Sequence, residues 1–149
     1  MAIDTILLAV GPGDADRTDR LASAVADVAG PTGATVVLAH VFTNEEFDDV
    51  LERLDYDPSG KPNSDEVATR HATIRSLSNA LDEANIGYSV RGAIGDHAQT
   101  IVKLAKDVNA DSVFVGGRKR SPTGKAVFGS TAQEVMLSSP CPVTFVRAD

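Results

Sequence analysis

The sequence predicts an α/β fold, an open five-stranded parallel sheet with helices on both faces. Three observations carry this reading. Short apolar runs rich in β-branched residues alternate with longer segments whose apolar residues recur at helical spacing. The alternation continues as βαβαβαβαβ with one irregular insertion. Glycine and proline mark most of the boundaries. Helical crossovers join parallel strands, and right-handed crossovers place helices on both sides of a sheet. The 149 residues fit a single domain, 1–149, long enough to bury a substantial core.

Ile3–Val10 is an apolar run halted by Gly11-Pro12-Gly13, which reads as a buried strand and a tight loop. From Asp16 to Ala29, Leu21, Val25 and Val28 recur at helical spacing, with Ala22, Ala24 and Ala29 filling the stripe. Gly30-Pro31-Thr32-Gly33 is expected to end that helix. Ala34–Phe42 is the second strand. Thr43 and Glu46 form a capping box for a short helix with Phe47, Val50, Leu51 and Leu54 on one side. Tyr56–Pro62 is turn-rich and reads as an exposed connection.

Asp65–Asn85 reads as one longer helix, with Val67, His71, Ile74, Leu77, Leu81 and Ala84 on one face. Tyr88–Ile94 is the third strand, and Gly95 turns the chain. Asp96 is placed to cap a helix striped by Ile101, Leu104, Ala105 and Val108. Asp111–Val115 is the fourth strand, ending at Gly116-Gly117. Ser130 and Gln133 have capping-box spacing for a last helix ending near Ser138, and Val143–Val146 is the final strand.

Composition excludes several classes. The formal charge is -7, from 21 acids against 14 bases, which argues against a broadly basic nucleic-acid-binding face. Asp outnumbers Glu and Arg outnumbers Lys, a bias resembling proteins of salt-loving hosts such as halophilic archaea. The longest purely apolar stretch, Ile6–Val10, is too short to span a membrane. The first residues, MAIDTILLAV, carry an acid where a secretory signal carries bases. The single Cys141 excludes an internal disulfide and suits a reducing cytoplasm; between Pro140 and Pro142 it reads as a packed thiol.

Chemistry concentrates in one loop. In VGGRKRSPTGKAVFGST, Val115–Thr131, four of the 14 basic residues fall within eight positions: Arg118, Lys119, Arg120 and Lys125. The loop leaves the fourth strand and ends at a helix N-terminus. Ligands of open parallel sheets gather beyond such strand ends, and unpaired N–H groups at a helix start favour anions. Two readings stand side by side: a polyanion site, or a solvated loop paired with surface acids in which Ser130 is only a cap. It is not a Walker A loop, because Ala126 follows Gly124-Lys125 where a hydroxyl is needed. No dinucleotide fingerprint follows the first strand either.

Catalytic signals are sparse. His40 reads as packed, His71 as structural, and His97 as lying near the rim of a crevice at the sheet. No zinc-ligand spacing, nucleophile elbow or paired carboxylates occur.

The residues resemble the universal stress protein family of the UspA type over essentially the whole chain. The family signature G-x2-G-x9-G-[ST] is met by Gly116, Gly129 and Ser130, with Lys119 where the second glycine is usual. TILLAV, VVLAHVF, GDHAQTIVKLAKDVNADSVFVGG and SSPCPVTFVR also match the family. The resemblance implies strand order 3-2-1-4-5 in an adenine nucleotide alpha-hydrolase-like fold, so Gly11 and Gly116 flank one crevice. It implies ATP, with Mg²⁺: adenine near Ala9, Val10 and Val41, and phosphates on Gly116, Gly117, Arg118, Lys119, Arg120, Gly129, Ser130 and Thr131.

Two positions depart from the family. Gly11 stands where nucleotide-binding members usually carry Asp, with Asp14 or Asp16 as substitutes. Lys119 would be strained by about 1 kcal/mol if the family glycine has positive φ. The final strand is expected at the sheet edge, where an apolar strand invites pairing unless Arg147 and Asp149 protect it. The resemblance implies a homodimer through Val143–Val146, with protein partners yet to be identified. Rival functions are a regulator that binds no nucleotide and a weak ATPase.

Overall fold

The computed structural model describes residues 2–55, 63–117 and 129–147. Five strands, β1 (Thr5–Val10), β2 (Thr35–Phe42), β3 (Tyr88–Ile94), β4 (Ser112–Gly117) and β5 (Val143–Arg147), form one sheet in the order β3-β2-β1-β4-β5. Every pairing is parallel. The expected order therefore holds, and strand order reverses between β1 and β4.

Among the described residues six α-helices connect the strands: α1 (Thr18–Thr32), α2 (Asn44–Arg53), α3 (Ser64–Arg70), α4 (Ala72–Glu83), α5 (His97–Asp107) and α6 (Ser130–Ser138). Side chains alternate across a strand, so β1 feeds two cores. Ile6, Leu8 and Val10 pack with Leu21 and Val25 of α1 and Ile74, Leu77 and Leu81 of α4. Leu7 and Ala9 pack with Ile101 and Leu104 of α5 and Ala132 and Val135 of α6. β2 divides in the same way, Val36 and Leu38 to one side, Val37, Ala39 and Val41 to the other. Central strands covered on both faces must be apolar at successive positions, which explains the unbroken runs in the sequence. Each fully buried Leu or Ile side chain stabilises by about 1.5–3 kcal/mol.

Three local expectations are corrected. First, α1 ends within Gly30-Pro31-Thr32-Gly33 as expected but runs past Ala29 to Thr32. Pro31 lacks a donor, but it sits in the last turn. There the Thr32 hydroxyl donates to the Val28 carbonyl at 2.7 Å, and Gly33, at φ 72°, closes the helix with its N–H on Ala29 O.

Second, the single helix expected over Asp65–Asn85 is two, α3 and α4, broken at His71 with ψ 137°. The His71 ring lies 4.3 Å from that of His40, and its Nδ1 accepts the Thr73 N–H at 3.3 Å as the N-cap of α4. The break lets Val67 and Ala68 pack with Phe42 and Val50 while Ile74 and Leu77 serve the sheet core. Third, Ser130 does not cap α6. Gly129 is the N-cap and makes no side-chain bond, so Ser130 becomes the first helical residue. A glycine in the N-cap role needs no capping box, which the S-x-x-Q spacing had suggested.

The capping box at Thr43 and Glu46 is present, with Glu46 N–H on Thr43 Oγ1 at 3.2 Å and Thr43 N–H on Glu46 Oε1 at 2.8 Å. Asp96 caps α5 as expected, accepting Gln99 N–H at 3.1 Å. The Tyr56–Pro62 connection lies outside the described residues. No described helix is long and apolar enough to cross a membrane.

Candidate functional site

A cleft of about 550 Å³ opens at the carboxyl ends of β1 and β4, where strand order reverses. That volume lies within the roughly 300–1,000 Å³ common for small-molecule sites. Its walls come from Ala9 and Val10 at the end of β1, the Gly11–Asp14 turn, Arg17, Val41 after the end of the β1-facing part of β2, and Gly116 and Gly117 of β4. His97 and Ile101 of α5, together with Gly129, Ser130, Thr131 and Ala132 at the start of α6, complete it.

The structure therefore gathers Ala9, Val10, Gly11, Val41, Gly116, Gly117, Gly129, Ser130 and Thr131 around one cavity. Arg118, Lys119, Arg120 and Lys125 lie outside the described residues.

The two walls differ in chemistry. Along β1 and β2 the lining is apolar: Ala9, Val10 and Val41. At α6 it is polar. The first amides of a helix have no intrahelical acceptor, and Ser130 is not spent on a cap. That end is an electropositive surface at the mouth of the cleft.

Gly116 and Gly117 are glycines for packing reasons. A Cβ on Gly116 would lie 2.9 Å from Asp14 Oδ1 and 3.1 Å from Arg17 Cδ. One on Gly117 would lie 2.6 Å from the Phe145 ring. At Gly11, by contrast, a Cβ would meet nothing within 4 Å.

Of the two candidate carboxylates, Asp14 lines the cleft, in the short 3-10 turn Pro12–Asp14. Its Oδ2 accepts the Gly11 N–H at 2.8 Å and its Oδ1 pairs with Arg17 Nε at 2.9 Å. Burial pushes the Asp14 carboxyl above the usual carboxylate range, against the pull of the Gly11 amide and the Arg17 guanidinium. Asp16 is exposed and does not line the cleft.

Arg17 was not foreseen as a cleft residue. Its side chain is 10% exposed, Nε and Nη2 both reach the Gly13 carbonyl, and Nη1 is buried without a hydrogen-bond partner. Unpaired N–H groups held away from water cost about 1–3 kcal/mol. The i,i+3 spacing of Asp14 and Arg17 was the available signal in the sequence.

His97 meets the rim expectation. It lines the cleft, and its Nε2 lies 2.7 Å from Glu46 Oε1, tying α5 to α2. Glu46 is held below its usual range by the Thr43 amide and His97, which outweigh the opposing effect of its burial. His40 is 1% exposed and stacks on Phe42 with ring centroids 4.2 Å apart. Burial, then the neighbouring His71 and His97, lowers its pKa to about 3, so it is a packed neutral histidine. Cys141 is half-buried beside the Ser139 hydroxyl.

Known proteins share this architecture. A universal stress protein of Thermus aquaticus, encoded in the QAH/OAS sulfhydrylase 3′ region, is 29% identical over 146 residues, 96% of this chain and 98% of that one. One from Mycolicibacterium smegmatis is 27% identical over 79 residues, a match spanning 52% of this chain and 61% of that relative.

Among solved structures, a universal stress protein in complex with cAMP superposes with a TM-score of 0.70 at 18% identity, covering 100% of both chains. One from Archaeoglobus fulgidus in complex with dAMP gives 0.69 at 20% identity, covering 99% of this chain and 100% of the other. These likenesses establish the adenine nucleotide alpha-hydrolase-like fold. Residues 2–147 match the Universal stress protein family model, and this chain belongs to that family.

Proposed function

We propose that this chain binds an adenine nucleotide, ATP foremost, in the cleft between β1 and β4 and acts as a stress-response regulator. One observation carries the reading: the open N-terminus of α6, with Ser130 free of capping, shares a cavity with the apolar wall of Ala9, Val10 and Val41. An apolar slot beside an anion-favouring helix end matches a ligand with a flat base at one end and phosphates at the other. The fold neighbours in complex with cAMP and dAMP support it.

In this reading Gly11 leaves room beside the base and ribose. Gly116, Gly117, Gly129, Ser130 and Thr131 face the phosphates, and the charges of Arg118, Lys119 and Arg120 in the same stretch of sequence favour an anionic ligand. Mg²⁺ arrives with the triphosphate, whose oxygens are the hard ligands it prefers. The protein works in the cytoplasm of a salt-loving, archaeal host as a homodimer through β5. Nucleotide occupancy alters a surface that protein partners read.

Titration with fluorescently labelled ATP, at a salt concentration where the protein is folded, tests the reading. Saturable binding is expected, weakened about tenfold or more by Gly116→Val and less by Ser130→Ala, consistent with charge-assisted hydrogen bonds of about 1.5–3 kcal/mol. Absence of saturation in the unmodified protein overturns it.

A further inference from the structure

We propose that Arg17 is a second anion-contacting residue of this cleft, one that makes the site select phosphorylated ligands over the corresponding nucleoside. The inference rests on the nucleotide reading and adds a residue that the signature loop does not contain.

The geometry assembles it from three facts. Arg17 lines the cleft from the β1 side, next to Gly116, whose missing side chain leaves 3.1 Å between a built Cβ and Arg17 Cδ. Asp14 holds Nε at 2.9 Å, and the Gly13 carbonyl takes Nε and Nη2. Nη1 remains without a hydrogen-bond partner in a side chain that is nine-tenths buried.

A guanidinium carries five N–H donors in a fixed fork, and this one directs only part of the fork at protein acceptors. An anionic oxygen is the acceptor that best completes it, since charge-assisted bonds are about twice as strong as neutral ones. Because Nη1 is shut off from solvent, contact requires a small turn of the whole planar guanidinium about the Cδ–Nε bond, moving Nη2 off Gly13 and Nη1 toward the cleft while Nε stays beside Asp14. Asp14 then acts as a positioning residue. It stands in for the strand-end carboxylate by holding a cation in place rather than by touching the ligand. The phosphate is gripped from both sides, by Arg17 on the β1 wall and by the α6 amides on the β4 wall.

The test uses the full chain with adenosine, AMP and inorganic pyrophosphate as probes. Titration calorimetry is run on the unmodified protein, Arg17→Gln and Arg17→Lys. Arg17→Gln is expected to weaken AMP binding about tenfold while leaving adenosine within twofold, and Arg17→Lys to recover part of the loss. In the unmodified protein labelled with ¹⁵N-arginine, the Arg17 Nε resonance is expected to shift with AMP and stay still with adenosine. That readout needs no variant to fold.

Equal losses for AMP and adenosine, or an Nε signal indifferent to AMP, overturn the proposal while leaving nucleotide binding intact. If the unmodified protein binds neither adenosine nor AMP and shows no saturation with ATP, the nucleotide reading fails by itself. Pyrophosphate then decides for Arg17: binding weakened by Arg17→Gln supports the anion contact, and no pyrophosphate binding overturns it.

Discussion

The two edges of the sheet have nearly the same exposure and very different neighbours. β3 and β5 both alternate half-buried and exposed residues. On the β3 side, α3 lies against the edge. The Gly92 N–H donates to Asp65 Oδ1 at 2.7 Å, and the Ser64 hydroxyl donates to Gly92 O at 2.8 Å. Two side chains thus supply the hydrogen bonds a sixth strand would make. The approach is so close that a Cβ on Gly92 would fall 1.9 Å from the Ser64 carbonyl oxygen. Beyond β5, among the described residues, no strand continues the sheet. Sheet edges invite pairing unless covered, and here one edge is covered from within the chain. The contrast teaches that, among the described residues, β5 is the edge not covered in this way, which is in keeping with the dimer proposed there.

The contrast can be broken most sharply at Gly92. Gly92→Ala puts a methyl group into the Ser64 backbone, which cannot yield as a flexible side chain would. The expected loss is about 3 kcal/mol, the upper range for overpacking, measured by urea denaturation. Hydrogen exchange should show β3 amides opening with little change at β5. Unchanged stability would mean that α3 does not seal this edge.

Acid should distinguish the edges next. His40 pairs in register with Gly92 and packs on His71 at the α3–α4 junction. Its folded pKa, about 3, lies below the ordinary 6.5. The unfolded chain therefore binds the proton first. The contribution to stability is full above pH 6.5 and is lost as pH falls toward 3, with a slope approaching about 1.4 kcal/mol per pH unit. His71, also lowered by burial and then by Arg53, acts in the same direction. Denaturation midpoints between pH 7 and 4 should fall, and less steeply in His40→Leu. Amide exchange should loosen at β3 before β5.

At the other edge, Thr144→Lys places a charge on an exposed position of β5. Two-fold pairing brings it near its own copy, so the dimer dissociation constant is expected to rise about tenfold in sedimentation experiments, or about 1.4 kcal/mol. No change would remove β5 from the interface. The smallest effect is expected from Asp65→Ala, which leaves the Gly92 amide without its carboxylate. A loss of about 0.5–1 kcal/mol and faster exchange of that single amide are expected.

Much of this architecture could be read from particular residues. Ile6–Val10 must be buried on both faces because it is apolar at consecutive positions, and such a strand demands helices on both sides. The glycines of the signature and the apolar ends of β1 and β2 located the cleft by their places in the chain. The break at His71 was hidden, because both half-helices present apolar residues at the same period, and the ring His71 meets there, that of His40, lies 31 positions away in a strand. Arg17 was hidden for a similar reason: at the start of a helix it resembles a solvated cation until β4 closes over it. Ser130 misled because hydroxyl spacing fits a cap, whereas the backbone gave that role to Gly129.

By itself the sequence determined the alternation of strands and helices, which residues enter the core, and where glycine opens the strand ends. These follow from periodicity and local chemistry, which short stretches of chain contain in full. Tertiary structure alone decided that α3 plugs one edge, that Asp14 grips Arg17 beneath Gly116, and that His40 is held neutral. Each depends on atoms brought together from distant positions, where burial removes water and leaves hydrogen bonds and charges to be answered by whatever lies in contact.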